Sequence, residues 1–305
     1  MLAQRSTSPR ALLLGSVSLV ASCAALGLSA ASRSQAEPPR QAQAAAKHRA
    51  PPAVAAAAEA TKPHAPCSDD MVLVEHSCVD RYEAHLLESR ADGSLAPHPP
   101  SERPEKKRYV AASRAGVKPQ GFISQVEAGE ACENAGKRLC RLTEWYRACT
   151  GSQKTTYPYG ATYEKGRCNV GKTHLLSELH GADPRSWSYL AFNDPELAKR
   201  PGFLALTGEY DRCTTTEGVH DMVGNLHEWV ADRVDGTLRS KLPVSAVIQR
   251  RIGRHHGNGI FMGGFFSTMN QHGDGCNYTT AAHDPRYHDY STGFRCCKDA
   301  VESEP

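Results

Sequence analysis

Ten cysteines between residues 67 and 297 constrain this chain more than any other feature. They are Cys67, Cys78, Cys132, Cys140, Cys149, Cys168, Cys213, Cys276, Cys296 and Cys297, an even set in a segment of ordinary domain length. No pair of C-x2-C motifs occurs, and a closed zinc site of that type needs one. The even set therefore predicts up to five disulfides. Adjacent Cys296 and Cys297 cannot easily close on each other and predict two different partners. Proximity suggests Cys67–Cys78.

The eleventh cysteine, Cys23, lies elsewhere. Arg5 and Arg10 precede an uncharged stretch, Ala11 to Ser32, whose core has the length of an export-signal h-region. It contains Val20-Ala21-Ser22-Cys23, which resembles a bacterial lipobox, so residues 1–22 read as a signal peptide and Cys23 as a lipidation site. Acyl chains there would hold the protein on a membrane surface. Cleavage at small residues near Ala31 or Ala36, giving a secreted protein, is the alternative, and an uncleaved anchor is a third. All three export the chain, to the periplasm or the cell surface, which agrees with disulfides. Residues 23–66 are rich in Ala, Pro and Gln and lack aromatics, so they read as a disordered linker. Residues 67–301 are the folded part. The formal net charge is +3 and no run of four Lys or Arg occurs, which excludes a nucleic-acid footprint.

Coarse periodicity predicts strands at 71–75 and 78–82 and loop over 86–120. Ser124-x-x-Glu127 is a capping box that opens a helix to about Ala135, with Gly136 as its stop. A second helix is expected over 142–149, closed near Gly151. Short strands are expected at 226–230, 260–266 and 293–297. This is an α+β pattern, loop-rich and low in regular secondary structure, with no internal repeat.

Several blocks, in order, carry a resemblance. Met71–Val74 and Asp80–Glu83 come first. Ala135-Gly-Lys-Arg-Leu139, Glu144-Trp145 and Tyr157-Pro-Tyr-Gly160 follow. Then come Val219-His-Asp-Met-Val-Gly-Asn-Leu-His-Glu-Trp229, Gly263-Gly264 and Gly293-Phe-Arg-Cys296. Together they resemble the sulfatase-modifying factor or formylglycine-generating-enzyme family. The resemblance implies a heavily looped variant of the C-type-lectin-like fold. It also implies Cys132–Cys296 and, with a small offset, Cys149–Cys276.

The family's oxidases bind copper(I) through a cysteine pair after the Gly-Gly motif, since thiolates suit that ion. Counted from Gly264, the pair falls on Thr268 and Gly273, and neither can ligate copper. The resemblance further implies calcium, held by Asp221 and Glu228 side chains with carbonyls of Gly224 and Leu226. A tight Gly-Asn turn with Glu228 paired to an arginine is the other reading of that segment. A second calcium site would begin at Asn169 and Val170. His272, His283 and His288 lie in the segment that forms the family's substrate cleft and offer an alternative transition-metal set, such as open iron. His227 replaces a family tryptophan. These features predict a non-oxidase binding or scaffold module at the cell envelope, with a peptide, glycan or envelope protein as partner. The alternative is a metal-dependent oxidoreductase using the same cleft.

Overall fold

In the computed structural model, the apolar run Met71–Val74 forms β1 and Ser77–Asp80 forms β2, a tight antiparallel hairpin. The structure describes residues 65–301 apart from 105–107, 244–245 and 270–271. The export segment, Cys23 and nearly all of the expected linker lie outside the described residues.

The stretch expected as loop, 86–120, instead carries most of a three-stranded sheet. Strands β3 (Ala84–Ser89), β4 (Leu95–Pro97) and β5 (Tyr109–Ser113) pair in the order β4-β3-β5. Strand β5 alternates inward Tyr109, Ala111 and Ser113 with half-buried residues. Two of those inward residues are an alanine and a serine, so a real period of two carries almost no hydrophobic signal.

Helix α1 spans Gln125–Asn134. Both halves of the capping box are present: the Ser124 hydroxyl accepts from Glu127 N, and Glu127 Oε2 accepts from Ser124 N at 2.9 Å. Helix α2 spans Leu142–Thr150 and ends at Gly151, in the left-handed φ region at +62°. Between them lies the short strand β6 (Arg138–Leu139).

The second half of the chain builds the sheet that frames the site. Strands β7 (His227–Arg233), β8 (Gly259–Met262), β9 (Thr279–His283) and β10 (Thr292–Phe294) pair in the order β10-β7-β8-β9. The strand expected to run to Phe266 stops at Met262, because Gly263 and Gly264 both turn into positive φ. The strand expected over 293–297 is two strands. Strand β10 runs parallel to β7, whereas β11 (Cys296–Asp299) joins β2 and β6 in another sheet, with Arg295 at the switch.

Alternation along β7 sends neighbouring side chains to opposite faces. Val230 joins a core with Trp145, Met222, Ile260 and Met262. Trp229 joins another with Leu86, Ile123, Phe261 and Phe294. A third core gathers Leu175, Leu176, Phe265, Phe266 and Tyr290. Five disulfides tie the elements together: Cys67–Cys78, Cys132–Cys296, Cys140–Cys297, Cys149–Cys276 and Cys168–Cys213. The adjacent pair does reach two partners, one on α1 and one just after β6. Among the described residues no helix is long and apolar enough to cross a membrane.

Candidate functional site

The segment from Asp221 to Trp229 is the hub of the domain. Gly224 has φ +83°, and a Cβ there would stand 2.2 Å from the Asn169 carbonyl oxygen. Only glycine permits that approach. Asn225, also left-handed at φ +57°, completes the turn, and its N–H donates to the Asn169 carbonyl at 2.8 Å. The Asn225 side-chain oxygen accepts from Asn169 Nδ2 at 2.8 Å and from Ala205 N at 2.9 Å. Its Nδ2 donates to Glu83.

Glu228 is 1% exposed, and both its oxygens are engaged. Arg295 Nε donates to Oε2 and Arg295 Nη2 to Oε1, each at 2.6 Å, while Trp145 Nε1 donates to Oε2 at 2.6 Å. Arg295 is itself fully buried and also donates to the carbonyls of Asp80 and His220. Glu83 and Asp221 crowd the same guanidinium. Burial, then repulsion from Asp221 and Glu228, raises the Glu83 carboxyl well above its ordinary range, and burial pushes Asp221 up to about 7.

This arrangement bears on the expected calcium set of Asp221, Gly224, Leu226 and Glu228. A cation needs open oxygens, and Glu228 has already given both of its own to an arginine and a tryptophan. Asp221 Oδ2 accepts from Gly208 N at 2.7 Å. As arranged here, neither Glu228 oxygen is free of a donor. At the second expected site, Asn169 Nδ2 donates to the Phe203 carbonyl at 2.8 Å. The Lys172 ammonium donates to that same carbonyl at 3.0 Å and to the Gly202 carbonyl at 2.6 Å. Asn169 Oδ1 itself is buried without a hydrogen-bond partner, an oxygen still open at the second expected site.

The cleft lies on the other side of this turn. A pocket of about 250 Å³ has Val170, Val223 and Gly263 in its wall, with Thr268 and Gly273, the two positions where the oxidases carry cysteine. Thr268 is engaged locally: its Oγ1 accepts from Phe265 N at 2.8 Å, and it hydrogen-bonds the Tyr278 phenol. The nearby Cys276 is bonded to Cys149, and every described cysteine is in a disulfide. No described thiolate is left to bind copper here, so the residues do not fit copper(I).

The three histidines do not converge. They are threaded into one file of rings: His272 on Tyr278 (5.4 Å between centroids), Tyr278 on His227 (5.5 Å), His227 on Phe261 (4.5 Å) and Phe261 on His283 (5.5 Å). The file continues through Tyr287 and Tyr189 to His288, whose Nδ1 lies 2.7 Å from the Tyr189 hydroxyl. Aromatic rings stand between the candidate ligands. Among the described residues no group of three or more His, Cys, Asp or Glu is placed to hold a metal ion. His227, marked in the sequence only as an exchanged tryptophan, is the buried centre of this file, and its Nδ1 has no hydrogen-bond partner. Burial, helped by His283, His272 and His174, holds its pKa well below the usual value.

Known proteins share this framework. The model of the sulfatase-modifying factor enzyme 1-like domain matches residues 76–300. No curated protein matches. Among solved structures the chain is similar to PvdO from Pseudomonas aeruginosa, at 14% identity and a TM-score of 0.39, covering 73% of this chain and 80% of that one. It is also similar to the Major Tropism Determinant I1 variant, at 15% identity and a TM-score of 0.41, covering 79% of this chain but only 55% of that one. With hub, cleft and cysteine framework spread across the matched span, this chain belongs to the sulfatase-modifying factor enzyme 1-like domain family.

Proposed function

We propose that this protein is an exported, lipid-anchored member of its family that uses the cleft to bind a partner without oxidising it. Thr268 and Gly273 in the pocket wall are the observation that carries this reading. A hydroxyl already engaged and a residue with no side chain replace two soft ligands, and copper(I) chemistry has nothing to stand on. Export is supported by the five disulfides, which persist in oxidising compartments, and by the signal-like segment ending at Cys23. The partner is a peptide, a glycan or another envelope protein.

The test is direct. The full chain is produced in an oxidising compartment, exposed to copper(I) and to iron(II), and assayed for bound metal and for oxygen uptake with a cysteine-bearing peptide. The expected result is substoichiometric metal, no oxygen uptake and no aldehyde in the peptide's mass spectrum. Stoichiometric copper or iron with turnover would overturn the reading. Mass spectrometry of the mature N-terminus, with Cys23→Ser as control, tests the anchor. A diacylated Cys23 is expected, and an unmodified N-terminus beyond it would remove the lipid from the proposal.

A further inference from the structure

The pocket has a distinct chemical character. Tyr157 and Tyr278 are buried in it, while Tyr163 and Met269 stand 49% and 68% exposed and so border its mouth. The Tyr157 and Tyr163 rings are tilted by 52° with centroids 6.0 Å apart, so they form a corner and do not cover each other. Tyr278 is held by the side chains of Thr268 and Thr280 and by stacking on both His272 and His227. Among the described residues that line the pocket, Asp274 alone is charged, and none is Lys, Arg or His. Asp274 is exposed, with no side-chain hydrogen bond capping the turn it begins.

The Tyr157–Tyr163 corner, a thioether and one carboxylate form a surface of negative potential with apolar walls, while Tyr278, stacked between His272 and His227, closes the back of the pocket. The faces of aromatic rings attract cations, and a carboxylate at the rim adds charge where the head group enters. An anion would meet Asp274 with no basic residue to offset it. A neutral apolar group would gain nothing from the carboxylate, which stays hydrated at the rim. We infer that this pocket seats an organic cation, an ammonium or guanidinium head, in the corner of Tyr157 and Tyr163 and beside Asp274. The inference rests on the binding-module reading and names the chemistry of its ligand. The head group belongs either to a free small amine or to a lysine or arginine side chain of a peptide. About 250 Å³ is room for a head group and a few carbons, not for a folded partner.

Calorimetric titration of the oxidised full chain tests this. The probes are choline, its uncharged isostere 3,3-dimethylbutanol, and the blocked amides of lysine and arginine. Saturable binding of a cation is expected, with 3,3-dimethylbutanol about tenfold weaker or undetectable. Asp274→Asn and Tyr163→Leu, both exposed positions that leave the core intact, should each weaken the cation about three- to tenfold. Unchanged thermal midpoints would show that both variants still fold. Tighter binding of the blocked lysine or arginine assigns a peptide source, and tighter binding of choline assigns a free amine. Equal affinity for choline and its isostere, or no binding of any cation, overturns the inference yet leaves the binding-module reading standing. Metal-dependent turnover in the preceding assay would overturn that reading instead.

Discussion

Replacing Arg295 by methionine should be among the most damaging single changes in this protein. The guanidinium is wholly buried, satisfies both oxygens of Glu228 at 2.6 Å and donates to the carbonyls of Asp80 and His220, each at 2.9 Å. Removing one member of a buried pair leaves the other charge uncompensated, at a cost of about 3–5 kcal/mol. The buried Asp80 carbonyl and the half-buried His220 carbonyl also lose a donor, adding about 1 kcal/mol for the first and less for the second. The total, about 5 kcal/mol or above, rivals the whole stability of many domains. The assay is urea denaturation with disulfides intact, followed by fluorescence, because Trp145 itself donates to Glu228. The double variant Arg295→Met/Glu228→Leu removes both charges together. It should recover at least about 2 kcal/mol relative to the sum of the single changes. A single variant within about 1 kcal/mol of wild type, or strict additivity in the cycle, would refute the claim that this pair locks the hub.

Three other outcomes follow from the same geometry. Because Arg295 already engages both Glu228 oxygens, a chelator should leave the thermal midpoint within about 2 °C of that in millimolar calcium; a large drop that calcium reverses would show a bound ion, with the unpartnered Asn169 Oδ1 as its first candidate ligand. His227 and His283 have depressed folded-state pKa values, that of His283 at about 4, so the unfolded chain takes up their protons first. Their contribution is therefore full above about pH 6.5 and is lost as pH falls toward 4, by up to about 3 kcal/mol for His283, and His227→Phe should flatten the urea midpoint between pH 7 and pH 5. Gly224→Ala should cost roughly 3 kcal/mol or more, since its Cβ would meet the Asn169 carbonyl at 2.2 Å in a left-handed backbone, and a near-native melting curve for that variant would contradict the close approach of the two backbones at this turn.

Local signals in this sequence are faithful where the physics is local. The capping box at Ser124 and Glu127 and the stops at Gly136 and Gly151 depend on neighbours a few residues away. The absence of thiolates at Thr268 and Gly273 is a property of composition, which no folding can change. The second reading of the Asp221–Glu228 segment, a tight turn with Glu228 on an arginine, is also open from the residues alone. Which arginine is not, because Arg295 lies far along the chain and reaches Glu228 only when β10 pairs with β7.

The same distance separates the other surprises from their sequence. Strands β3 to β5 escape a reading by hydrophobicity because their inward positions are partly small or polar, and pairing supplies the order that hydrophobicity does not. Lys172 finds its carbonyls only after residues 202 and 203 fold back onto it. His272, His283 and His288 share one segment, yet packing separates the first two with rings from β7 and β8 and the last two with Tyr287 and Tyr189. The sequence by itself determined that the chain would need cross-links, where its helices begin and end, and that no thiolate stands at positions 268 and 273. Tertiary structure alone decided which charges meet in the dry interior and which histidines are kept apart. Those contacts join residues far apart in the chain, and their energies exist only once water has been excluded between them.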